Sequence, residues 1–311
     1  MPNTILDTTS LAEKRQDIMT RNNKVQNSIP THIYTPAGPR LGNITGRFVT
    51  IRQMWRELIQ SRELIVRLYA RDFSTKYRQS ALGVLWVFLV PLITVAIFAG
   101  MNRAGVFNIE GVTVPYALYA LIGLSAYNLF NGGILVCTTS LVYAGNMLTK
   151  INFPKIALVF AASLHGLVDF AVRTLLIAVM FIVFAQKPHL PGLFLGLLAL
   201  IPFYFFMVGL GFFLSMVTAV IRDISNIVNF ASMGLMMATP VLYPITGNSL
   251  LARMNVWNPF NYFINVPRDL ILQGHSNLMF GYVWCAGLAC VVFYTGWRFF
   301  YFAQTRIAER V

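Results

Sequence analysis

Apolar residues in this 311-residue chain gather into long runs, with polar residues confined mostly to the stretches between them. About 20 consecutive apolar residues carry a helix across the ~30 Å hydrocarbon core of a bilayer, where only helices and closed barrels satisfy their own backbone. Six segments meet or approach that length, near 82–101, 115–138, 156–185, 193–220, 224–243 and 279–302. The fifth is the weakest, because Asn226 and Asn229 open it and Pro240 and Pro244 close it. The pattern predicts an all-α integral membrane fold of six transmembrane helices occupying 81–303.

Around the spans the pattern predicts four further pieces. Residues 1–46 lack apolar periodicity and read as a flexible cytoplasmic tail, and 304–311 as a short one. Over 47–80, Trp55, Leu58, Ile59, Ile65, Val66, Tyr69, Phe73 and Tyr77 recur at helical spacing among Arg52, Arg56, Arg62, Arg67, Arg71, Lys76 and Arg78. That predicts an amphipathic helix lying in the membrane interface, with a soluble basic helix as the alternative. Between spans five and six, 244–278 is aromatic yet too polar to cross. Tyr243 just before it, and Trp257, Phe260, Tyr262 and Arg268 within it, suit an outer re-entrant or interfacial hairpin, with an ordinary loop as the alternative.

Composition removes whole function classes. At 57% hydrophobic and 11% charged, with a mean hydropathy of +0.63, the chain is not a soluble enzyme. The net charge of +13 would suit nucleic acid, but 13 of the 24 Lys and Arg lie in the first 81 residues, before the long apolar runs. Given six spans, 19 basic residues fall on the side of the amino terminus (its head, Lys150, Lys155, Arg222, Arg298, Arg306 and Arg310). Only Arg103, Lys187, Arg253 and Arg268 fall opposite. That bias places both termini in the cytoplasm and assigns the charge to lipid headgroups rather than nucleic acid. Cys137, Cys285 and Cys290 sit in apolar stretches and give no disulfide framework or metal site.

Chemistry is sparse. No GxxxxGK[ST] string exists, so any ATP must be bound by another polypeptide, and no HExxH, GxSxG or paired CxxC motif points to catalysis or a metal. His165, Asp169 and Arg173 are spaced i, i+4, i+8 in the third span, and so share one helical face. Charges at mid-membrane cost on the order of 2.5–3.5 kcal/mol each by insertion scales, so they should face protein or a wet cavity. Two readings stay open: an Asp169–Arg173 ion pair that serves packing, or Arg173 meeting an anionic substrate group. The turn Asn146, Met147, Lys150, Ile151, Phe153 and Pro154 combines basic charge with apolar knobs suited to docking a partner, and Arg222 with Asp223 forms the next turn on the same side. Aromatics within or opening the spans (Trp86, Tyr116, Tyr119, Tyr127, Phe130, Tyr204, Phe205 and Phe212) would suit a wall that stacks on sugar rings, or plain packing.

At RDFSTKYRQSALGVLWVFLVPL (71–92) the chain resembles polysaccharide-exporting ATP-binding-cassette permeases of the type-two exporter class. A MLTKINFPK turn, an RD turn and a loop ending NPFNYFINVPRDLILQG follow in the matching order, so the likeness covers roughly 50–305. The resemblance implies a homodimer with two separate nucleotide-binding subunits that bind the ATP and Mg, exporting a lipid-linked O-antigen, capsule or teichoic-acid chain across the bacterial inner membrane. It implies that Asn146 to Pro154 couples to the ATPase. It also implies that Trp55 to Tyr77 lies near the headgroups, where Arg71, Lys76 and Arg78 attract a lipid diphosphate, and that the outer hairpin closes the far side. A small-lipid or drug exporter, and a membrane-bound glycan enzyme or scaffold, are the alternatives.

Overall fold

Helix is the only regular structure among the described residues, as a chain dissolved in hydrocarbon requires. The computed structural model describes residues 54–56, 58–77, 82–105, 114–145, 153–244 and 250–307, all within the unit Gln53–Val311. In chain order the helices are α1 (Arg62–Tyr77), α2 (Trp86–Arg103), α3 (Tyr116–Ala144), α4 (Ile156–Val183), α5 (Leu190–Leu198), α6 (Leu200–Val220), α7 (Ile224–Ala238), α8 (Leu250–Asn255), α9 (Pro259–Gln273) and α10 (Met279–Ile307). A 3-10 turn, Gly83–Leu85, leads into α2.

Four stretches are long and apolar enough to cross a bilayer: Tyr116–Ala144, Ile156–Val183, Leu190–Val220 and Met279–Ala303. Trp86–Met101 and Ile224–Ala238 are apolar but shorter. The 15 residues of α7 reach only about 22 Å at 1.5 Å each. The expected span 224–243 therefore ends as helix at Ala238, and residues up to 243 turn back before Pro244. The expected span 193–220 begins earlier, at Leu190. There His189 Nδ1 accepts the Gly192 amide at 3.0 Å and Pro191 occupies the first turn, and the helix is interrupted at Ala199.

α3 is the central helix: 72% of its apolar window is buried, against 17% for α10. Its partners reach it through small residues. A Cβ on Gly166 of α4 would lie 2.6 Å from the Leu129 carbonyl of α3, so these two backbones touch. α6 and α10 meet in the same way, since a Cβ on Gly296 would lie 2.2 Å from the Gly209 carbonyl. The core between α3, α6 and α9 is a cluster of rings, with Phe130 edge-on to Phe260 at 4.6 Å and Phe203 stacked on Phe263 at 4.9 Å. Outward, Phe230, Ile182, Phe280 and Trp284 are exposed, the arrangement expected of a protein whose solvent is apolar.

α1 and the helical residues before it divide their apolar positions between two faces rather than gathering them on one. Met54, Ser61 and Leu68, each seven apart, are buried against the bundle with Leu58 and Ile65 beside them, while Trp55, Ile59 and Val66 are exposed. A helix that docks on protein and also meets lipid needs both stripes.

Candidate functional site

Among the described residues, charged and amide side chains inside the apolar bundle stand out in two clusters. The first lies on α4. His165 is buried with its ring centroid 4.9 Å from that of Tyr69 on α1. One and two turns on, Asp169 and Arg173 are half-buried. They attract each other electrostatically, but no ion pair within 4.0 Å joins them, and the Arg173 Nε is buried without a hydrogen-bond partner. The expected intrahelical pair is thus not a closed contact.

What faces them on α3 was not singled out in the sequence. A Cβ on Gly132 would lie 3.6 Å from Asp169 Oδ2. α3 and α4 run antiparallel, so one turn further Asn128 is level with Arg173, and beyond it Leu121 and Ile177 share an apolar cluster. Asn128 donates to the Leu124 carbonyl at 2.7 Å, and Asn131 Oδ1 is buried without a partner. The available signal was the pair of Asn residues flanking Leu129 and Phe130 in the middle of an apolar run, which only the pairing of α3 with α4 makes meaningful.

The second cluster joins α9 to the turn after α7. Arg268 is 3% exposed, and its guanidinium lies 3.8 Å over the Tyr119 ring of α3. It donates through Nη1 to the Val241 carbonyl at 3.0 Å and through Nη2 to the Pro240 carbonyl and Asn265 Oδ1. Asn255, Asn258, Asn261 and Asn265, spaced for one face of a helix, extend this network. Asn255 Nδ2 reaches the Ala238 carbonyl at 3.0 Å, and Asn258 Nδ2 reaches Thr239 Oγ1 at 3.0 Å. Asn258 also caps α9 by accepting the Phe260 amide, and Gly274 closes that helix in the left-handed region at φ 80°. The segment expected as an outer hairpin is therefore two helices, α8 and α9. Phe260 is buried, Tyr262 donates to the Val256 carbonyl at 2.8 Å, Tyr243 donates to the Met237 carbonyl at 2.7 Å, and Trp257 is 89% exposed. Burial lowers the Arg268 pKa against the pull of Tyr119 and Asp269. Burial likewise raises the Asp269 carboxyl, against its hydrogen bond from Ser276 and the attraction of Arg268 and His275.

The other expected residues are scattered. Asn146, Met147, Lys150, Ile151 and Arg78 lie outside the described residues, as do the side chains of Lys76 and Tyr77. Phe153 is half-buried against the main core rather than projecting freely, Pro154 is exposed, and partial burial lowers the Lys155 ammonium. Arg222 and Asp223 are exposed, and Asp223 makes no side-chain cap on α7. Arg71 is exposed and paired with Asp72 at 2.8 Å. Of the aromatics expected as a wall, Tyr119, Tyr127, Phe130 and Phe212 are buried packing residues, and the Tyr127 hydroxyl donates to the Ser232 carbonyl of α7. Tyr116, Tyr204 and Phe205 are half-buried, with Tyr204 2.7 Å from Ser163 Oγ, and Trp86 is exposed.

Comparison with known proteins gives this architecture a family. The ABC-2 type transporter family matches residues 63–272, from α1 through α9. The O-antigen export system permease protein RfbA of Myxococcus xanthus is 28% identical over 195 residues, covering 61% of this chain and 72% of that protein. The protein of the same name from Klebsiella pneumoniae is 23% identical over 220 residues, covering 69% of this chain and 82% of its own length. With two-thirds of its length matched, this multi-pass membrane protein belongs to the ABC-2 type transporter family.

Proposed function

We propose that this chain is the permease subunit of an ABC exporter that moves a lipid-linked polysaccharide of the O-antigen type outward across the inner membrane. The observation that carries this reading is the family match over 63–272, together with O-antigen export permeases aligned over 72% and 82% of their own lengths. The chain acts as a homodimer with two copies of a nucleotide-binding subunit, which bind the ATP and Mg and hydrolyse the ATP. Six spans, with α2 and α7 as the two short ones, put both termini in the cytoplasm, in keeping with the 19 basic residues on that side.

The residues divide the work. The turn Asn146 to Pro154, with Arg222 and Asp223, docks on the ATPase. Phe153, rooted in the core, carries displacement of that turn into α3 and α4, so closure of the ATPases biases which side of the path is open. α1 lies along the headgroups, where Arg71 and the neighbouring cations meet the lipid diphosphate. α8 and α9, fixed by Arg268, close the far side.

Deleting the gene should abolish surface polysaccharide while lipid-linked glycan accumulates inside the cell, and the wild-type chain should reverse both effects. Normal surface polysaccharide in the deletion strain refutes this reading. Phe153→Ala should leave the complex assembled while ATP hydrolysis and export become uncoupled, measured as phosphate released per glycan exported. Unchanged coupling removes Phe153 from the transmission role.

A further inference from the structure

The α3–α4 seam presents polar atoms for which the protein provides no partner. Among the described residues, Asp169 and Arg173 make no hydrogen bond or ion pair, and Arg173 Nε is buried without a partner. Towards the amino-terminal end of α4, α1 covers the seam with Leu68 and with Tyr69 against His165. Towards the other end, α2 covers it with Leu92 and Val95 against Leu176 and Ile177. Between these covers Asn128, Gly132, Asp169 and Arg173 remain half-buried. Asp169 lies 14 residues into a 28-residue span, about 20 Å from its start, at the depth where water is normally absent.

Half-buried charges at that depth are not stable against lipid, and the protein leaves them unbonded, so the seam must face something polar. A closed structural pair would show an Asp169–Arg173 contact within 4.0 Å, and none is present. We infer that this seam is a wetted stretch of the export path, where Asn128, Asp169 and Arg173 hydrogen-bond the hydroxyl and anionic groups of the passing glycan. This inference rests on the exporter reading for the identity of its ligand. The chemistry fits a moving chain: one donor fork, one carboxylate and one amide offer donors and acceptors to any polyhydroxylated segment without holding a single pose. Gly132 keeps the wall low beside Asp169.

The test uses the intact permease–ATPase complex in native membranes, with Cys285 and Cys290 replaced by alanine; Cys137 is fully buried. Gly132→Cys is the gentlest reporter because its Cβ meets nothing closer than 3.6 Å, and Asn128→Cys is the second. Leu175→Cys on α4 and Val291→Cys near the middle of α10, each 58% exposed, report the lipid-facing surface. A membrane-impermeant, positively charged methanethiosulfonate should label positions 128 and 132 about tenfold faster than 175 and 291, because thiolate forms only where water reaches. Equal rates overturn the wetted seam, whether lipid or a second copy of the chain covers it.

A neutral double variant, Asp169→Asn with Arg173→Gln, should cut surface polysaccharide by about tenfold at unchanged complex abundance. Full export by that variant overturns the glycan contact. The labelling reads water in the seam whatever the substrate is. Failure of the exporter reading shows separately, as a wild-type chain that restores no surface polysaccharide to the deletion strain.

Discussion

Among the described residues, Arg268 and Arg173 each stand in a polar cluster of this apolar bundle, and the protein treats them oppositely. Arg268 on α9 is sealed from solvent, forked onto the carbonyls of Pro240 and Val241 and onto Asn265, and laid over the Tyr119 ring, so that only its Nε lacks a partner. Arg173 on α4 is half-buried and makes no hydrogen bond to the described chain. A desolvated charge costs several kcal/mol unless partners replace its water. Arg268 meets that requirement within the chain and is a structural clamp, tying the turn after α7 to α3 and α9. Arg173 finds no such partner among the described residues, and the proposed wetted seam would supply one.

The comparison predicts unequal damage. Arg268→Ala removes one side of a buried network and takes its donor from two carbonyls and from Asn265 Oδ1, so the folded fraction in detergent should drop sharply, by about 3–5 kcal/mol of stability. Gel-filtration profiles of the tagged complex read this directly, and a monodisperse, fully stable variant would dissolve the clamp. Gly166→Ala comes next. Its methyl group would press on the Leu129 carbonyl and part α3 from α4, at about 1–3 kcal/mol, seen as a lower melting temperature. Arg173→Ala should cost about 1 kcal/mol or less, since no bond is lost, while export falls. If Arg173→Ala destabilises as much as Arg268→Ala, the distinction between the two arginines is void.

The smallest effect is on pH. Burial raises the Asp269 pKa, so the native state holds that proton more tightly than the unfolded chain does. The stability from this group is present at low pH and declines as pH rises from about 4, the free carboxylate value, through its raised value. Asp269→Asn should flatten that slope in melting temperatures taken across this range, and an unaltered slope assigns it to another group.

How much of this was legible beforehand follows from the kind of signal each feature leaves. Long apolar runs declare themselves, so α3, α4, α6 and α10 fall where hydropathy puts them. α7 is shorter than its run because Pro240 and Pro244 forbid continuation, and because Thr239 is drawn into a bond from Asn258 that only the folded chain supplies. The apolar stripe of α1 was visible, but its division between Met54, Ser61 and Leu68 facing protein and Ile59 and Val66 facing away depends on which neighbours dock. His165, Asp169 and Arg173 stood out by spacing within one helix. Asn128 and Gly132 did not, because their meaning comes from antiparallel register with a second helix. For the aromatics, composition left a sugar-stacking wall and plain packing both open, and for Tyr127, Phe130 and Phe212 the structure shows packing, because a bundle this crowded with rings uses them to fill its own centre.

The central claim is that this chain is one half of a machine whose energy enters through another polypeptide. Affinity purification of the tagged chain from gently solubilised membranes tests it most directly. The account predicts that a P-loop ATPase co-purifies in an amount equal to the permease and that the pair hydrolyses ATP. A chain that emerges alone, yet moves lipid-linked glycan when reconstituted in vesicles without nucleotide, would contradict it.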